Sequence, residues 1–176
     1  MSNNDKDAQA YFNLLAKAEV QLPDYPRGTG CYSRAQHAAK LMSHHGRDVE
    51  LIWALGSINS FVPDIPNADW GNGMAFHVAV LDKQTGLVFD QAFCHEPVSR
   101  KRWENLFIPV REDGIRPRII TSGLDKYATM VHGEPELVEG TPENIRKGAE
   151  GLYLMTIRRY KPVTIDRVGN EPDYEA

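Results

Sequence analysis

The sequence predicts an α+β fold in which an antiparallel sheet packs against helices. Helical periodicity is concentrated before residue 46, and strand-like apolar runs occupy the middle and the end of the chain. Two of these runs are joined by a short turn that suits a hairpin. A length of 176 residues is typical of a single domain. We expect that domain to span residues 1–165 and a polar C-terminal tail to span residues 166–176.

Composition excludes several functional classes. The net charge is −4, so nothing indicates a nucleic-acid partner, and no apolar run approaches the length of a membrane span. Residues 1–10 are too polar for a signal peptide. The chain has two cysteines, Cys31 and Cys94, and we expect both to be free thiols in a reducing compartment.

The first third of the chain predicts two helices and a strand. Residues 7–20 have an amphipathic helical pattern that Pro23 and Pro26 end. Small and apolar residues recur at helical spacing over residues 31–45, and Gly46 supplies a helix stop. Residues 49–55 follow as a strand.

Later segments alternate between strands, short helices and loops. We expect a long functional or mobile loop over residues 56–73 and an ambiguous conformation over residues 124–137. The remaining predictions are a hairpin of residues 75–81 and 87–90, a short helix over 99–107, a strand over 116–121, a helix that begins at Thr141 and a closing strand over 152–160.

Cys31 has the sequence context of a reactive thiol. It follows a Gly28-Thr29-Gly30 turn and begins the predicted helix of residues 31–45. A thiol there lies at the positive end of the helix dipole beside unpaired N–H groups, which favours the nucleophilic thiolate. The same N–H groups can stabilise an oxyanion. We therefore predict that Cys31 is a nucleophile; an inert buried cysteine is the alternative.

A base and an orienting carboxylate are available on the predicted hairpin. His77 interrupts an apolar strand, and Asp90 ends the next one, so the two side chains are expected within reach of each other. The alternatives are a satisfied core histidine and an aspartate at a turn. Cys94 is a rival nucleophile, but it lies in a loop beside His95, and we interpret it as structural or incidental.

Four sequence blocks resemble the bacterial protein-glutaminase (protein-glutamine deamidase) family. Their order and approximate spacing over residues 28–103 agree with that family. The blocks are Gly30-Cys31-Tyr32-Ser33-Arg34-Ala35, Phe76-His77-Val78-Ala79, Phe89-Asp90-Gln91-Ala92-Phe93, and Pro97-Val98-Ser99 with Trp103.

The resemblance implies a fold, a reaction and a site. Members of the family hydrolyse the side-chain amide of protein-bound glutamine to glutamate and ammonia on a papain- or transglutaminase-like core. Carried onto this chain, their catalytic triad is Cys31, His77 and Asp90, with the nucleophile at a helix N-terminus and a thioester intermediate. The implied partner is a protein with an accessible glutamine, and no cofactor or metal is required.

Four further residues are predicted to bind substrate: Gly30, Tyr32, Trp70 and Phe76. Trp70 lies in the loop ahead of His77, where it can form a wall of the substrate cleft or simply pack beneath the loop. His37 and His44 are seven apart on one helix, too far to share one zinc, and no third ligand has the right spacing. We therefore expect no metal site.

Two alternatives to the deamidase remain open, because a fold and a triad do not define a substrate. One is a cysteine peptidase or cell-wall amidase with the same triad, and the other is a non-catalytic binding module. The deamidase family that the blocks resemble has secreted members, whereas residues 1–10 are too polar for a signal peptide. For the deamidase, this difference predicts a cytoplasmic effector or toxin domain. A secretion system would deliver it into a target cell, and an immunity protein or a chaperone would be its partner.

Overall fold

The structure is a computed structural model that describes residues 8–10, 12–13, 31–65 and 73–140. Its helices are α1 (Cys31–His44) and α2 (Arg100–Asn105), and residues 8–10, 12 and 13 are also helical. The strands are β1 (Val49–Leu55), β2 (Phe61–Pro63), β3 (Phe76–Asp82), β4 (Leu87–Phe89), β5 (Val98–Ser99), β6 (Phe107–Pro109), β7 (Arg118–Ser122), β8 (Lys126–Val131) and β9 (Glu134–Glu139). No helix among these residues is long and apolar enough to cross a lipid bilayer.

Five strands form one antiparallel sheet in the order β5-β4-β3-β1-β7. β1 and β3 pair along all 7 residues of each strand. β3 and β4 form the predicted hairpin, but the last residue of β4, Phe89, lies opposite Val80. β3 therefore continues past the end of β4, and its first residues, including His77, are available to other parts of the chain.

The central sheet separates two hydrophobic cores. Because successive side chains of a strand point to opposite faces, Trp53 faces α1, whereas Ile52 and Ala54 face α2 and the small β2–β6 sheet. α1 packs against β1 and β3 through its small and apolar residues. The architecture is mixed α and β with antiparallel sheets, as the sequence predicted.

The C-terminal end of α1 confirms the predicted helix stop. Gly46 has a φ of +77°, which favours glycine, and its N–H donates to the carbonyl of Ser43 at 2.9 Å. The N–H of Arg47 donates to the carbonyl of Met42 at 3.0 Å. Two such bonds satisfy carbonyls that the helix would otherwise leave unpaired. The side chain of Arg47 then forms an ion pair with buried Asp82, which joins the end of α1 to the end of β3.

The structure corrects one expectation, defines one stretch that the sequence left ambiguous and adds two strands. The loop predicted over residues 56–73 contains β2, which pairs with β6 more than forty residues later. The ambiguous stretch of residues 124–137 is largely the hairpin of β8 and β9, which turns at His132 and Gly133, both with positive φ. β5 and β6 were not predicted at all. β2, β5 and β6 have 2 or 3 residues each, too few to show an alternating pattern. They are defined by pairing with strands elsewhere in the chain.

Other predicted elements are found close to their expected bounds. The short helix expected over residues 99–107 is α2, for which Ser99 is the N-cap, and the strand expected over residues 116–121 is β7. Of the helix expected over residues 7–20, the structure describes residues 8–10, 12 and 13, and these are helical. Three predictions lie outside the described residues: the helix that begins at residue 141, the strand over 152–160 and the boundary between 1–165 and 166–176.

Candidate active site

Cys31 is the first residue of α1 and is partly buried at the edge of the core. Its thiol is hydrogen-bonded with the side chain of His77 and with the backbone N–H of Val78. Both partners lie on the part of β3 that extends beyond β4. The early end of β4 therefore leaves room for the start of α1 to bring Cys31 beside His77.

His77 is 2% exposed, and its ring lies on the face of the sheet that is opposite most of α1. Aromatic rings surround it: the ring centroid of Phe93 is 4.2 Å away and that of Phe107 is 5.8 Å away. Its Nε2 lies 2.8 Å from Oδ2 of Asp90. Since Nε2 faces Asp90, Nδ1 is the ring nitrogen left for Cys31. One imidazole therefore joins the thiol to the carboxylate.

Asp90 follows β4 directly and is buried. Three N–H groups surround its carboxylate: His77 Nε2 and Trp103 Nε1 at Oδ2, the latter at 2.7 Å, and the backbone N–H of Ala92 at Oδ1, at 3.2 Å. The ladder pairs Val80 with Phe89, so His77 and Asp90 are diagonal neighbours, not directly opposite residues. The expectation that they lie within reach is confirmed.

The charges of these three groups stabilise one another. Burial alone would raise the pKa of Cys31, but the hydrogen bond and charge of His77, the charge of Arg34 and the Val78 N–H together lower it. Burial alone would lower the pKa of His77, but the Asp90 carboxylate, with a contribution from Cys31, raises it to about 9. Burial opposes ionisation of Asp90 too, yet His77, Trp103 and Arg34 lower its pKa. Each of the three groups therefore favours the charged form of its neighbour: the thiolate of Cys31, the imidazolium of His77 and the carboxylate of Asp90.

Cys94 has the opposite electrostatic environment. It is a free thiol that is partly buried, and its backbone N–H donates to the carbonyl of Asp90 at 2.9 Å. Burial and the negative charge of Asp90 raise its pKa to about 12. Cys94 therefore holds its proton at neutral pH, as expected of a structural cysteine.

Two of the four predicted substrate-binding residues are described. Tyr32 is buried, stacked on Trp53 at 5.9 Å, and its hydroxyl donates to the carbonyl of Lys126 at 3.0 Å, which attaches α1 to β8. Phe76 is partly buried immediately before His77. Tyr32 and Phe76 therefore pack next to Cys31 and His77. For Tyr32 and Phe76, a role in substrate binding stays a prediction. Gly30 and Trp70 lie outside the described residues.

Trp103 is part of the site, although the sequence interpretation assigned it only to a helix and a family block. It is fully buried on α2, and its indole N–H reaches Asp90 across 13 residues of chain. Nothing in the local pattern of either residue indicates this contact. Among the described residues, no group of three or more histidine, cysteine, aspartate or glutamate side chains is placed to hold a metal ion.

A thiol with a lowered pKa, joined through a buried histidine to a carboxylate, is the arrangement that cysteine-dependent hydrolases use. Comparison with known proteins then identifies the family. Residues 8–107 match the model of the glutaminase family. Because the match covers more than half of the 176 residues, the chain belongs to the protein-glutaminase family. A search of curated proteins finds no match.

Three solved structures to which this chain is similar are described as protein-glutaminases. A mutant of pro-protein-glutaminase has a TM-score of 0.58 at 16% identity, covering 85% of this chain and 56% of that one. A crystal structure of protein-glutaminase has a TM-score of 0.54 at 16% identity, covering 96% and 95%. The NMR structure of protein-glutaminase from Chryseobacterium proteolyticum has a TM-score of 0.49 at 16% identity, covering 82% and 85%. This chain thus spans little more than half the length of the first of these proteins, and the first two likenesses establish the fold.

Proposed function

We propose that this chain is a protein-glutamine deamidase that hydrolyses glutamine side-chain amides to glutamate and ammonia. One observation carries the proposal: in a chain of the protein-glutaminase family, His77 is hydrogen-bonded to Cys31 and to Asp90. In this proposal Cys31 is the nucleophile, His77 is the acid and base, and Asp90 orients the imidazole. The substrate is a protein with an accessible glutamine, and the core corresponds to that of papain-like and transglutaminase-like enzymes.

The first half of the reaction forms a thioester. The Cys31 thiolate attacks the side-chain amide carbon of glutamine, and the carbonyl oxygen becomes an oxyanion. The backbone N–H of Cys31, at the start of α1, is a donor for that oxyanion. The His77 imidazolium gives its proton to the amide nitrogen, the C–N bond breaks and ammonia leaves. The glutamyl group remains attached to the Cys31 sulfur.

The second half releases glutamate. His77, now neutral, removes a proton from a water molecule, and the resulting hydroxide attacks the thioester carbon. The C–S bond breaks, and the Cys31 thiolate and His77 imidazolium are restored. Throughout both steps Asp90 holds a hydrogen bond to Nε2, so that Nδ1 stays directed at the sulfur. No other group is needed to balance the reaction.

The test is ammonia release from a glutamine-rich protein, with the intact mass of that protein recorded on the same samples. The wild type should release ammonia, and the substrate should gain about one mass unit per glutamine converted, since NH₂ is replaced by OH. Cys31→Ala should release none. Cys94→Ala is the matched control: it removes the other free thiol, whose pKa is raised, and should retain activity.

Other outcomes would contradict the proposal in distinct ways. Substrate fragments in the mass record, without ammonia, would identify a cysteine peptidase that uses the same three residues. Release of ammonia by Cys31→Ala at the wild-type rate would exclude Cys31 as the nucleophile. A Cys31 thiol with ordinary reactivity toward iodoacetamide near neutral pH, together with no ammonia, would identify a binding module that keeps the fold.

A further inference from the structure

The Asp90 carboxylate accepts two hydrogen bonds at the same oxygen. Nε2 of His77 lies 2.8 Å and Nε1 of Trp103 lies 2.7 Å from Oδ2, while Oδ1 accepts the Ala92 N–H. The side chains of His77, Asp90 and Trp103 are all buried. In a buried site, hydrogen bonds to a charged group are stronger than those between neutral groups, and each donor has a large effect on which protonation state is stable.

The fold delivers Trp103 to this oxygen through a short, well-anchored helix. Ser99 pairs with Leu87 in the sheet and also caps α2, where its side chain accepts the N–H of Arg102 at 3.3 Å. Trp103 lies one turn further on, and its ring packs against Phe107 at 4.8 Å. The indole is therefore held by β5, α2 and β6, whereas Cys31 lies on α1, His77 lies on β3 and Asp90 follows β4.

We infer that Trp103 is a positioning residue, whose indole N–H keeps Asp90 ionised and directed at Nε2 of His77. This inference rests on the proposed function. An indole N–H can donate but never accept, so it requires an acceptor at Oδ2 and opposes a proton there. With Asp90 ionised, Nε2 of His77 carries the hydrogen of their bond, and Nδ1 is the nitrogen that exchanges a proton with Cys31.

Loss of the indole donor has a defined chemical consequence. The buried carboxylate would keep only two of its three N–H donors and could rotate away from Nε2. The ionised set of Cys31, His77 and Asp90 would then be less stable, and Cys31 would hold its proton to higher pH. If Trp103 only fills space beside the rings of His77 and Phe107, its loss should leave the pKa of the Cys31 thiol unchanged.

The experiment compares Trp103→Phe with Trp53→Phe, both in a Cys94→Ala background. The two tryptophans are equally buried, and each donates one indole hydrogen bond, that of Trp53 to Oγ of Ser122 at 2.8 Å. The readout is the pH dependence of Cys31 alkylation by iodoacetamide, which needs no protein substrate. For Trp103→Phe we expect a higher thiol pKa and an alkylation rate at neutral pH that falls about tenfold or more. Trp53→Phe should keep the pH profile of the background.

A second substitution preserves the shape of the side chain. Benzothienylalanine has sulfur in place of the indole N–H, so placing it at position 103 removes the donor without a cavity. It should reproduce the alkylation profile of Trp103→Phe, and this holds even if Trp103→Phe fails to fold. Equal profiles for benzothienylalanine and tryptophan at position 103, or equal shifts in the Trp103→Phe and Trp53→Phe variants, would overturn the inference.

Failure of the positioning role can be distinguished from failure of the proposed function. If alkylation shows the expected shift while the parent protein releases no ammonia from any protein tested, the positioning role stands and the deamidase proposal does not. If ammonia is released and the alkylation profiles of the two variants match their parent, the deamidase stands and the positioning role fails.

Discussion

Substitution of Asp90 by asparagine tests the electrostatics of the site most directly. The amide has nearly the same shape, but it carries no charge and offers one acceptor oxygen where the carboxylate has two. His77 and Trp103 both donate to Oδ2, and Ala92 donates to Oδ1, so an asparagine leaves at least one of these buried donors without an acceptor. The imidazolium of His77 loses the neighbouring charge that raises its pKa.

The size of the effect follows from the pKa of His77. That pKa is about 9 with Asp90 in place, and without the carboxylate we expect it at or below the ordinary value of 6.5. At about pH 8 the protonated fraction of His77 would drop from about 90% to about 3%, roughly 30-fold. Because the thiolate and the imidazolium stabilise each other, the thiolate population falls with it. We therefore expect Asp90→Asn to lose at least about 30-fold in rate at this pH.

The assay is the pH profile of ammonia release. In the wild type, the rate should rise as Cys31 loses its proton, below its ordinary pKa of 9.0, and should fall as His77 loses its proton near pH 9. Asp90→Asn should move the falling limb to lower pH. The control is Asp82→Asn, at a buried aspartate that accepts hydrogen bonds from Arg47, Thr85 and the N–H of Gln84. It should lower stability and leave the pH profile unchanged.

One result would refute this reasoning. If Asp90→Asn keeps a falling limb near that of the wild type and loses less than about threefold in rate, the Asp90 charge does not set the protonation of His77. A loss of rate in Asp82→Asn equal to that in Asp90→Asn would show that both act through destabilisation alone. Thermal unfolding of each variant, measured across the same pH range, separates the two explanations.

Two further predictions concern stability and biological role. Gly46→Ala should lower the free energy of unfolding by about 1 kcal/mol in urea titrations, because φ at this position is +77°. The added Cβ would meet nothing within 4 Å, so a steric clash does not contribute. Gly46→Asn should lower the free energy of unfolding by less, and equal losses for the two variants would argue against backbone strain. If the chain acts as an effector or toxin, expression of the wild type should slow the growth of target cells and Cys31→Ala should not. Equal harm from both proteins would exclude toxicity through the proposed reaction.

The sequence alone determined the elements that depend on neighbouring residues. The helical spacing after Cys31 and the stop at Gly46 predicted α1, and apolar runs predicted β1, β3 and β4. The blocks around Cys31, His77 and Asp90 predicted the family, which the match over residues 8–107 confirms. Local periodicity and residue type are enough for these conclusions, because each depends on a few consecutive positions.

Only the tertiary structure decided how these residues meet. β2 and β6 exist because they pair with each other, and the hairpin of β8 and β9 is held to α1 through Tyr32. The length of β3 relative to β4 brings Cys31 beside His77, and α2 brings Trp103 to Asp90. Such contacts join segments far apart in the chain, and their energies depend on packing and burial that no short stretch of sequence contains.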